Sequence, residues 1–239
     1  MKKMIQKASV VVFALFTLTS NAQDQGNALD SSSEKKNAVA AYFGFPGFGG
    51  LGYARKFTDH TALRVAGTFA SLSRDMDGID VGERTINASA SWKFNKIDLL
   101  FDYTPFKESS FKLVAGLAYI YNGKTSVTAV TAKDQKIGGI TIPKEELGGV
   151  NASADWTGVA PYIGTGFGRA VPKNNVGFGF ELGGYFIGSP ETSYQPYGLT
   201  AAGEEAGIVN IEEESKDFKD AVEKLKFMPS IMFHFTIKL

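Results

Sequence analysis

Large apolar residues and small residues alternate most regularly along residues 156–190. The large apolar positions are Val159, Pro161, Ile163 and Phe167 in the first half, then Val176, Phe178, Phe180 and Leu182 in the second. The positions between them hold mostly glycine and alanine, together with Tyr162 and Glu181. Alternation with a period of two predicts two β-strands, because successive side chains of a strand point to opposite faces. We expect residues 173–175 to form the turn between them.

The chemistry of these two faces predicts a narrow barrel surrounded by lipid. Glycine is a poor strand former, so a face built mainly of glycine indicates a crowded, concave side. The bulky apolar side chains would then lie on the convex side and contact lipid. A soluble secreted barrel that binds an apolar ligand is an alternative, and it requires the large apolar face to point inward.

Similar alternation recurs along most of the chain, in residues 37–57, 61–74, 84–106, 111–131 and 227–239. In the first of these segments Pro46-Gly47 and Gly49-Gly50 interrupt the pattern, so we expect either two short strands around a tight turn or one kinked strand. Short turns at 58–60, 107–110 and 173–175 alternate with long segments at 75–83, 133–151 and 194–226. Outer-membrane barrels have short periplasmic turns and longer external loops. The pattern therefore predicts an all-β fold, an antiparallel up-and-down transmembrane β-barrel of eight strands.

The segment 84–106 changes phase near its middle. Trp92 and Phe94 share an apolar face in its first half, which turns Lys93 toward the lumen, whereas the odd positions from Ile97 onward are apolar in its second half. A β-bulge at Asn95-Lys96 explains this change. A two-residue hairpin at the same place also explains it, and it would change the strand count.

Residues 211–226 carry the pattern of one short helix before the last strand. Asn210 can cap this helix, with Glu213 at the capping-box position, and lysines follow acidic residues along it as the helix dipole favours. The last segment, 227–239, ends on alternating residues and resembles the C-terminal assembly signal of bacterial outer-membrane barrels. Leu239 stands where that signal usually has phenylalanine.

The N-terminus has the three parts of a secretory signal peptide. Lys2, Lys3 and Lys7 are basic, residues 8–18 are apolar, and small residues precede a cleavage site near Ala22. We therefore divide the chain into a signal peptide at 1–22, a flexible lead-in at 23–36 and an outer-membrane barrel domain at 37–239. This organisation predicts the outer membrane of a Gram-negative cell.

Composition excludes several classes of function. The chain has no cysteine, which removes disulfides and thiolate chemistry. Without the three lysines of the signal peptide its 25 basic residues fall to 22, against 25 acidic residues, so a nucleic-acid partner is not expected. No spacing typical of a metal site, a phosphate loop or a GxSxG nucleophile occurs, and we expect no cofactor. The two histidines, His60 and His234, lack a serine at a recognisable spacing.

Several charged residues fall on predicted lumen-facing positions. They are Arg64, Lys93, Asp98, Asp102, Lys112, Glu181, His234 and Lys238. An eight-stranded barrel is just wide enough for side chains to fill its interior. Buried charges must be paired, so we predict a polar network in the lumen. The network is either a structural set of salt bridges or a polar track for a small solute.

Two separated segments resemble a group of small bacterial outer-membrane proteins. APYIGTGFG, a short turn and GFGFELGGYFIGSP in residues 156–190 are similar to the PYLGxGxG and GFxFDLG…GSP strands of that group. Asp102-Tyr103-Thr104-Pro105-Phe106 is similar to its DxxPF segment, and the whole resemblance covers most of residues 84–239. More distantly, the chain is similar to OmpW- and OmpA-like eight-stranded barrels. The resemblance implies an outer-membrane barrel without an assigned activity.

Together these observations predict a non-enzymatic, porin-like outer-membrane protein. It would be either a structural protein or a narrow passive conduit for small solutes, including hydrophobic ones. Its expected partners are outer-membrane lipid, the barrel-assembly machinery acting on the C-terminal strand and a small solute. A lipid-modifying outer-membrane enzyme, with a histidine, serine and acid brought together from different strands, is the second alternative beside the soluble barrel.

Overall fold

The structure is a computed structural model that describes residues 35–81, 84–137, 140–200 and 211–239. The predicted signal peptide at 1–22, nearly all of the lead-in at 23–36 and the predicted cap Asn210 lie outside the described residues.

Eight antiparallel strands form a closed ring of backbone hydrogen bonds. They are β1 (Asn37–Phe45), β2 (Gly49–Lys56), β3 (Thr61–Phe69), β5 (Arg84–Tyr103), β6 (Phe111–Thr131), β9 (Gly149–Phe167), β10 (Val176–Phe186) and β12 (Phe227–Lys238). The first of these strands pairs with the last, so that Phe43 lies opposite Phe233 and the sheet has no edge within the barrel. The predicted eight-stranded antiparallel barrel is confirmed, with β1 and β2 as two strands around the turn at 46–48.

A five-stranded open sheet continues beyond the barrel from strands β5, β6 and β9. Strand β4 (Ser71–Val81) pairs with β5, and strand β11 (Glu191–Tyr197) pairs with β9. We call the parts of β5, β6 and β9 that extend beyond the barrel ring, together with β4 and β11, the outer sheet. The predicted loop at 75–83 is thus wrong in part, because β4 extends through most of it. The backbone hydrogen bonds of a paired strand outweigh the low strand propensity of its aspartates and glycine.

The remaining described elements lie at the same end of the barrel as the outer sheet. They are a hairpin of β7 (Gln135–Ile137) and β8 (Ile140–Ile142), helix α1 (Lys144–Leu147) and helix α2 (Ile211–Glu223). The predicted helix before the last strand is confirmed as α2. Its Phe218 contacts Tyr194 of β11, with ring centroids 6.1 Å apart. No helix in the described ranges combines the length and the apolar character needed to cross a membrane.

Of the two explanations for the phase change at Asn95-Lys96, the hairpin is wrong, because β5 is continuous from Arg84 to Tyr103. The predicted irregularity is present there, as a register shift between β5 and β6 after Asn95. The extra residue belongs to β6, where Asn95 pairs with Asn122 and Lys96 with Ile120. A bulge in the partner strand changes the partner's phase and leaves that of β5 intact. Even-numbered side chains of β5 consequently face inward from Ile86 to Asp102.

The outer surface of the barrel is apolar and its interior is packed. Val159, Phe178 and the other large apolar residues of the alternating pattern face outward, with 66% of Val159 and 62% of Phe178 exposed. Tyr162 and Glu181 face inward and are 3% exposed. The alternative of a soluble barrel requires the large apolar face to point inward. In the structure this face points outward, so that requirement is not met. Glycine makes the interior packing possible, because a Cβ on Gly179 would overlap the ring of His234.

Candidate functional site: the barrel interior

Four charged side chains from four strands meet at the middle of the barrel. Arg64 of β3 donates from Nε to Asp102 Oδ1 of β5 at 2.7 Å and from Nη2 to Glu181 Oε2 of β10 at 2.7 Å. Lys112 of β6 completes the group, with its ammonium 3.2 Å from Asp102 Oδ2 and 2.9 Å from Glu181 Oε2. Two cations and two carboxylates thus alternate around a closed set of contacts, which we call the charge cluster.

Burial makes the charge cluster depend on its own pairing. Its four side chains are between 0% and 3% exposed, so water does not replace a lost partner. A buried charge without a partner costs several kcal/mol. The formal charges of the cluster cancel, and each carboxylate is shared between both cations. This arrangement satisfies the requirement that buried charges be paired.

Uncharged partners surround the charge cluster. Tyr162 donates its hydroxyl to Glu181 Oε1 at 2.7 Å, and Arg64 Nη1 donates to the Tyr42 hydroxyl at 3.4 Å. The ammonium of Lys112 lies 3.4 Å from His234 Nε2. Because an ammonium can only donate, this imidazole nitrogen accepts, and His234 Nδ1 faces the hydroxyl of Thr236 at 3.2 Å. The histidine is therefore held in one orientation by its two ring nitrogens.

A second buried ion pair lies closer to the outer sheet. Lys96 donates to Asp98 Oδ2, and its ammonium lies 4.5 Å from the centroid of the Tyr185 ring, where a cation–π interaction is favourable. Sequence reasoning missed Lys96 because it assigned this residue to the bulge. Strict alternation of β5 from Asp102 backwards would have placed it in the lumen.

Two of the residues predicted for the lumen lie elsewhere. Lys93 is exposed on the outward face of β5, which corrects its predicted position. The prediction placed Trp92 and Phe94 in lipid, whereas β5 keeps its phase and turns both aromatic side chains inward. Lys238 lies at the end of the barrel, where its ammonium donates to the carbonyl of Lys173 at 3.1 Å. Arg64, Asp98, Asp102, Lys112, Glu181 and His234 all face the lumen and are buried.

Apolar side chains fill the barrel on both sides of the polar residues. Toward the outer sheet, the fully buried apolar and aromatic side chains include Phe94, Ile120, Tyr185 and Pro46. Trp92 and Phe94 stack with ring centroids 5.6 Å apart. Toward the short turns, Ala170 and Val171 of the β9–β10 connection pack against alanines of β1, β2 and β3. The polar middle of the lumen is thus enclosed between two apolar layers.

Arg169 holds the turns together at the end of the barrel with short connections. Its guanidinium donates to the carbonyls of Asp59 at 2.8 Å, Lys107 at 2.7 Å, Ser109 at 3.1 Å and Phe106 at 3.2 Å. These acceptors belong to the β2–β3 and β5–β6 turns. One side chain of the β9–β10 turn therefore fixes both neighbouring turns beneath Ala170 and Val171.

A small cleft beside Arg169 contains the other histidine. His60 Nδ1 lies 2.7 Å from the carbonyl of Thr104. In the same turn, a hydrogen bond and the charge of Lys56 hold the pKa of Asp59 below its usual range. Across the described ranges, neither His60 nor His234 hydrogen-bonds to a serine, so a histidine–serine pair of the kind that activates a nucleophile does not form there. The described residues also contain no group of three or more His, Asp or Glu that could hold a metal.

Comparison with known proteins places the chain by fold. No family model matches it, and no curated protein matches it. Four solved chains match, among them CarO2 and CarO of Acinetobacter baumannii. CarO2 is 18% identical with a TM-score of 0.59 over 85% of this chain and 98% of that one, and CarO is 19% identical with a TM-score of 0.57 over 84% and 97%. The chain therefore adopts a barrel fold similar to that of CarO and CarO2.

Proposed function

We propose that the protein is an integral outer-membrane β-barrel of a Gram-negative cell, with a structural role for its closed interior. In this function the barrel anchors the outer sheet at the cell surface. The observation that carries the proposal is the exposed apolar belt around a barrel that buries its charges. Exposing such an apolar surface to water is energetically unfavourable, whereas its contact with lipid is favourable.

The dimensions of the belt support a lipid environment. Along β6 the outward residues from Leu113 to Tyr121 are apolar or aromatic and about half exposed. Eight steps of about 3.4 Å, tilted by about 40°, span about 21 Å across a membrane. Barrels of the outer membrane have an apolar band about 25 Å tall.

Aromatic side chains at both ends of the belt also support this proposal. Exposed aromatics near the short turns are Phe57, Tyr103, Phe106 and Phe167, and those near the outer sheet are Phe45, Phe48, Phe69, Tyr119 and Tyr121. Girdles of aromatic residues are typical of the two interfaces of an outer-membrane barrel. The resemblance of residues 156–190 to small outer-membrane proteins and the similarity to the CarO fold point in the same direction.

The last strand carries the second part of the proposal. Its outward residues Ile231, Phe235 and Ile237 are exposed along the belt, as is Leu239 just after it, and the strand pairs with β1 to close the ring. We propose that the barrel-assembly machinery recognises this strand, after a signal peptide at 1–22 has directed the chain out of the cytoplasm.

Reconstitution tests the proposed function. We expect the purified chain to require detergent, to insert into phospholipid vesicles and to show no steady conductance in a planar bilayer, because the lumen is filled by buried side chains. Protein that stays in solution without detergent and does not insert into phospholipid vesicles would contradict the membrane location.

A narrow conduit is the second candidate, and one observation favours it. Thr68 Oγ1 and Asp98 Oδ1 are buried polar atoms without a hydrogen-bond partner among the described residues. A small polar solute entering the lumen would find acceptors and donors there. Discrete conductance steps, or solute uptake into vesicles, would favour the conduit over the structural role.

A further inference from the structure

The outward face of the outer sheet carries polar residues in rows that cross all five strands. The row nearest the barrel is Ser71, Lys93, Lys124, Asp155 and Glu191. The middle row is Ser73, Ser91, Ser126, Ser153 and Ser193. The third row is Asp75, Ser89, Thr128, Asn151 and Gln195. We call these fifteen positions the polar face.

Charge is concentrated in the first row of the polar face and is almost absent from the other two rows. In its middle and third rows Asp75 is the one charged residue, whereas about 25–35% of a typical soluble surface is charged. Asparagine and aspartate are also poor strand formers. The middle and third rows therefore carry an array of hydroxyl and amide groups in place of charges.

Cross-strand hydrogen bonds hold this array in place. Ser91 and Ser126 share a hydrogen bond of 3.2 Å between their hydroxyls, Thr128 donates to Asn151 at 2.8 Å, and Ser89 donates to Asp75. A hydroxyl has one donor and two acceptor sites, so each retains capacity after one bond. Neighbouring strands lie about 4.8 Å apart and successive rows about 7 Å apart. The face thus presents a fixed grid of donors and acceptors, which suits a ligand with hydroxyls along its length, such as a glycan.

The position of the polar face points to the membrane as the source of that glycan. The face continues the lipid-facing surface on the same strands, and its first row lies within three residues of the exposed aromatics Phe69 and Tyr121. Within this row Lys93 lies directly opposite Lys124, and Lys124 pairs with Asp155 at 3.0 Å. No carboxylate of the described residues forms an ion pair with Lys93. Because like charges in opposite positions are unfavourable, an anion beside Lys93 would stabilise this row.

We propose that the polar face binds the phosphorylated sugar headgroup of an outer-leaflet glycolipid. Lys93 binds the phosphate at the level of the aromatic girdle, and the hydroxyl rows hydrogen-bond the sugars farther from the membrane. This inference rests on the proposed function, since only a barrel embedded in the outer membrane brings the face to the headgroups.

Titration of the detergent-purified full chain with lipopolysaccharide tests the proposal, with phosphatidylglycerol as the anionic lipid without sugar. We expect preferential binding of lipopolysaccharide. Lys93→Gln should weaken it about tenfold and Ser126→Val about threefold, as the loss of one charged and one neutral hydrogen-bonding group implies. The matched controls Lys93→Arg and Ser126→Thr, which restore the charge and the hydroxyl, should bind like the wild type.

Other results would overturn the proposal. Equal binding of both lipids, equal binding by all variants, or a change in oligomeric state without a change in binding would each contradict a glycolipid site. Full displacement of lipopolysaccharide by inorganic phosphate alone would reduce the face to a simple anion site. Vesicle insertion is measured in parallel, so a chain that inserts normally but fails these titrations loses this inference and keeps the proposed membrane location.

Discussion

The barrel and the outer sheet are built from the same strands but distribute polarity in opposite ways. Along β6 the outward face is apolar at Leu117 and Tyr121 and becomes polar at Lys124 and Ser126. The inward face changes in the reverse direction, from Lys112 in the barrel to Val127 in the outer sheet. On the outward face the change occurs at the bulge, between Tyr121 and Lys124, whereas the inward face is already small or apolar from Val114 to Ile120.

This inversion shows that the surroundings of a strand, and not the strand itself, decide which face is polar. In the barrel the lumen is the site of charge, because buried cations and carboxylates can pair there, and under the proposed function the outside contacts lipid. In the outer sheet the outward face is hydrophilic, which is what water or headgroups require. The level of the bulge and of Lys93 therefore marks the edge of the proposed membrane.

The largest effect is expected from removing the central cation of the barrel. Arg64→Leu leaves Asp102 and Glu181 with Lys112 as their remaining close cation. We expect a loss of about 3–5 kcal/mol in the free energy of unfolding, as for a broken buried ion pair. Urea unfolding of the protein in phospholipid vesicles measures it.

A matched arginine on the surface provides the control for this variant. Arg55 lies on the neighbouring strand β2 but is exposed. Arg55→Leu should change the free energy of unfolding by about 0.5 kcal/mol or less. Similar losses for both arginines would mean that the charge cluster does not stabilise the barrel.

Arginine scanning along one face of β6 tests the inversion itself. Leu117→Arg places a charge at the centre of the apolar belt and should cost about 2–4 kcal/mol in vesicles. Ser126→Arg, on the same strand and the same side, should stay within about 0.5 kcal/mol. Equal costs at the two positions would contradict a change of surroundings between them.

The two faces of the barrel wall should also respond differently to one added methyl group. Gly179→Ala forces a Cβ onto the ring of His234 and should cost about 1–3 kcal/mol through overpacking. At Gly67, which faces outward on β3, an added Cβ meets no atom within 4 Å, so Gly67→Ala should be neutral or slightly stabilising. Thermal unfolding in detergent ranks the two variants, and the reverse order would exclude a packed lumen.

The smallest effect concerns the end with the short turns. Arg169→Ala removes four charge-assisted hydrogen bonds from a partly exposed side chain, where water replaces some of them, and should cost about 1 kcal/mol. Lys173→Ala removes only an exposed 3.9 Å contact with Glu108 and should have almost no effect. Hydrogen exchange of the turn amides should increase in the first variant alone.

The secondary structure was predicted correctly where alternation and glycine content indicated the same element. The hairpin at 156–190, the strand at 111–131 and the helix before the last strand follow from local periodicity, and strand β6 has the predicted bounds. The predicted orientation of side chains was wrong where aromatic residues face the lumen. Trp92 and Phe94 look like lipid-facing residues, yet they cap the polar interior, and assigning them outward displaced Lys93 and hid Lys96.

The charge cluster was predictable as a set of residues but not as a set of contacts. Alternation placed Arg64, Asp102, Lys112 and Glu181 on inward positions. Which cation meets which carboxylate depends on the stagger between strands β3, β5, β6 and β10, which no single strand's sequence encodes. Tyr162 was assigned inward as a bulky exception among glycines, and its hydrogen bond to Glu181 gives the reason for that exception.

Single-cysteine labelling is the most direct test of the central claim that lipid surrounds the barrel and ends below the outer sheet. The chain has no cysteine, so Leu117→Cys and Ser126→Cys each introduce one label site on the same face of β6. With a nitroxide label in phospholipid vesicles, we expect position 117 to be accessible to oxygen dissolved in lipid and protected from a water-soluble nickel chelate. Position 126 should show the opposite behaviour. Access of the nickel chelate to both positions would contradict the membrane-embedded barrel.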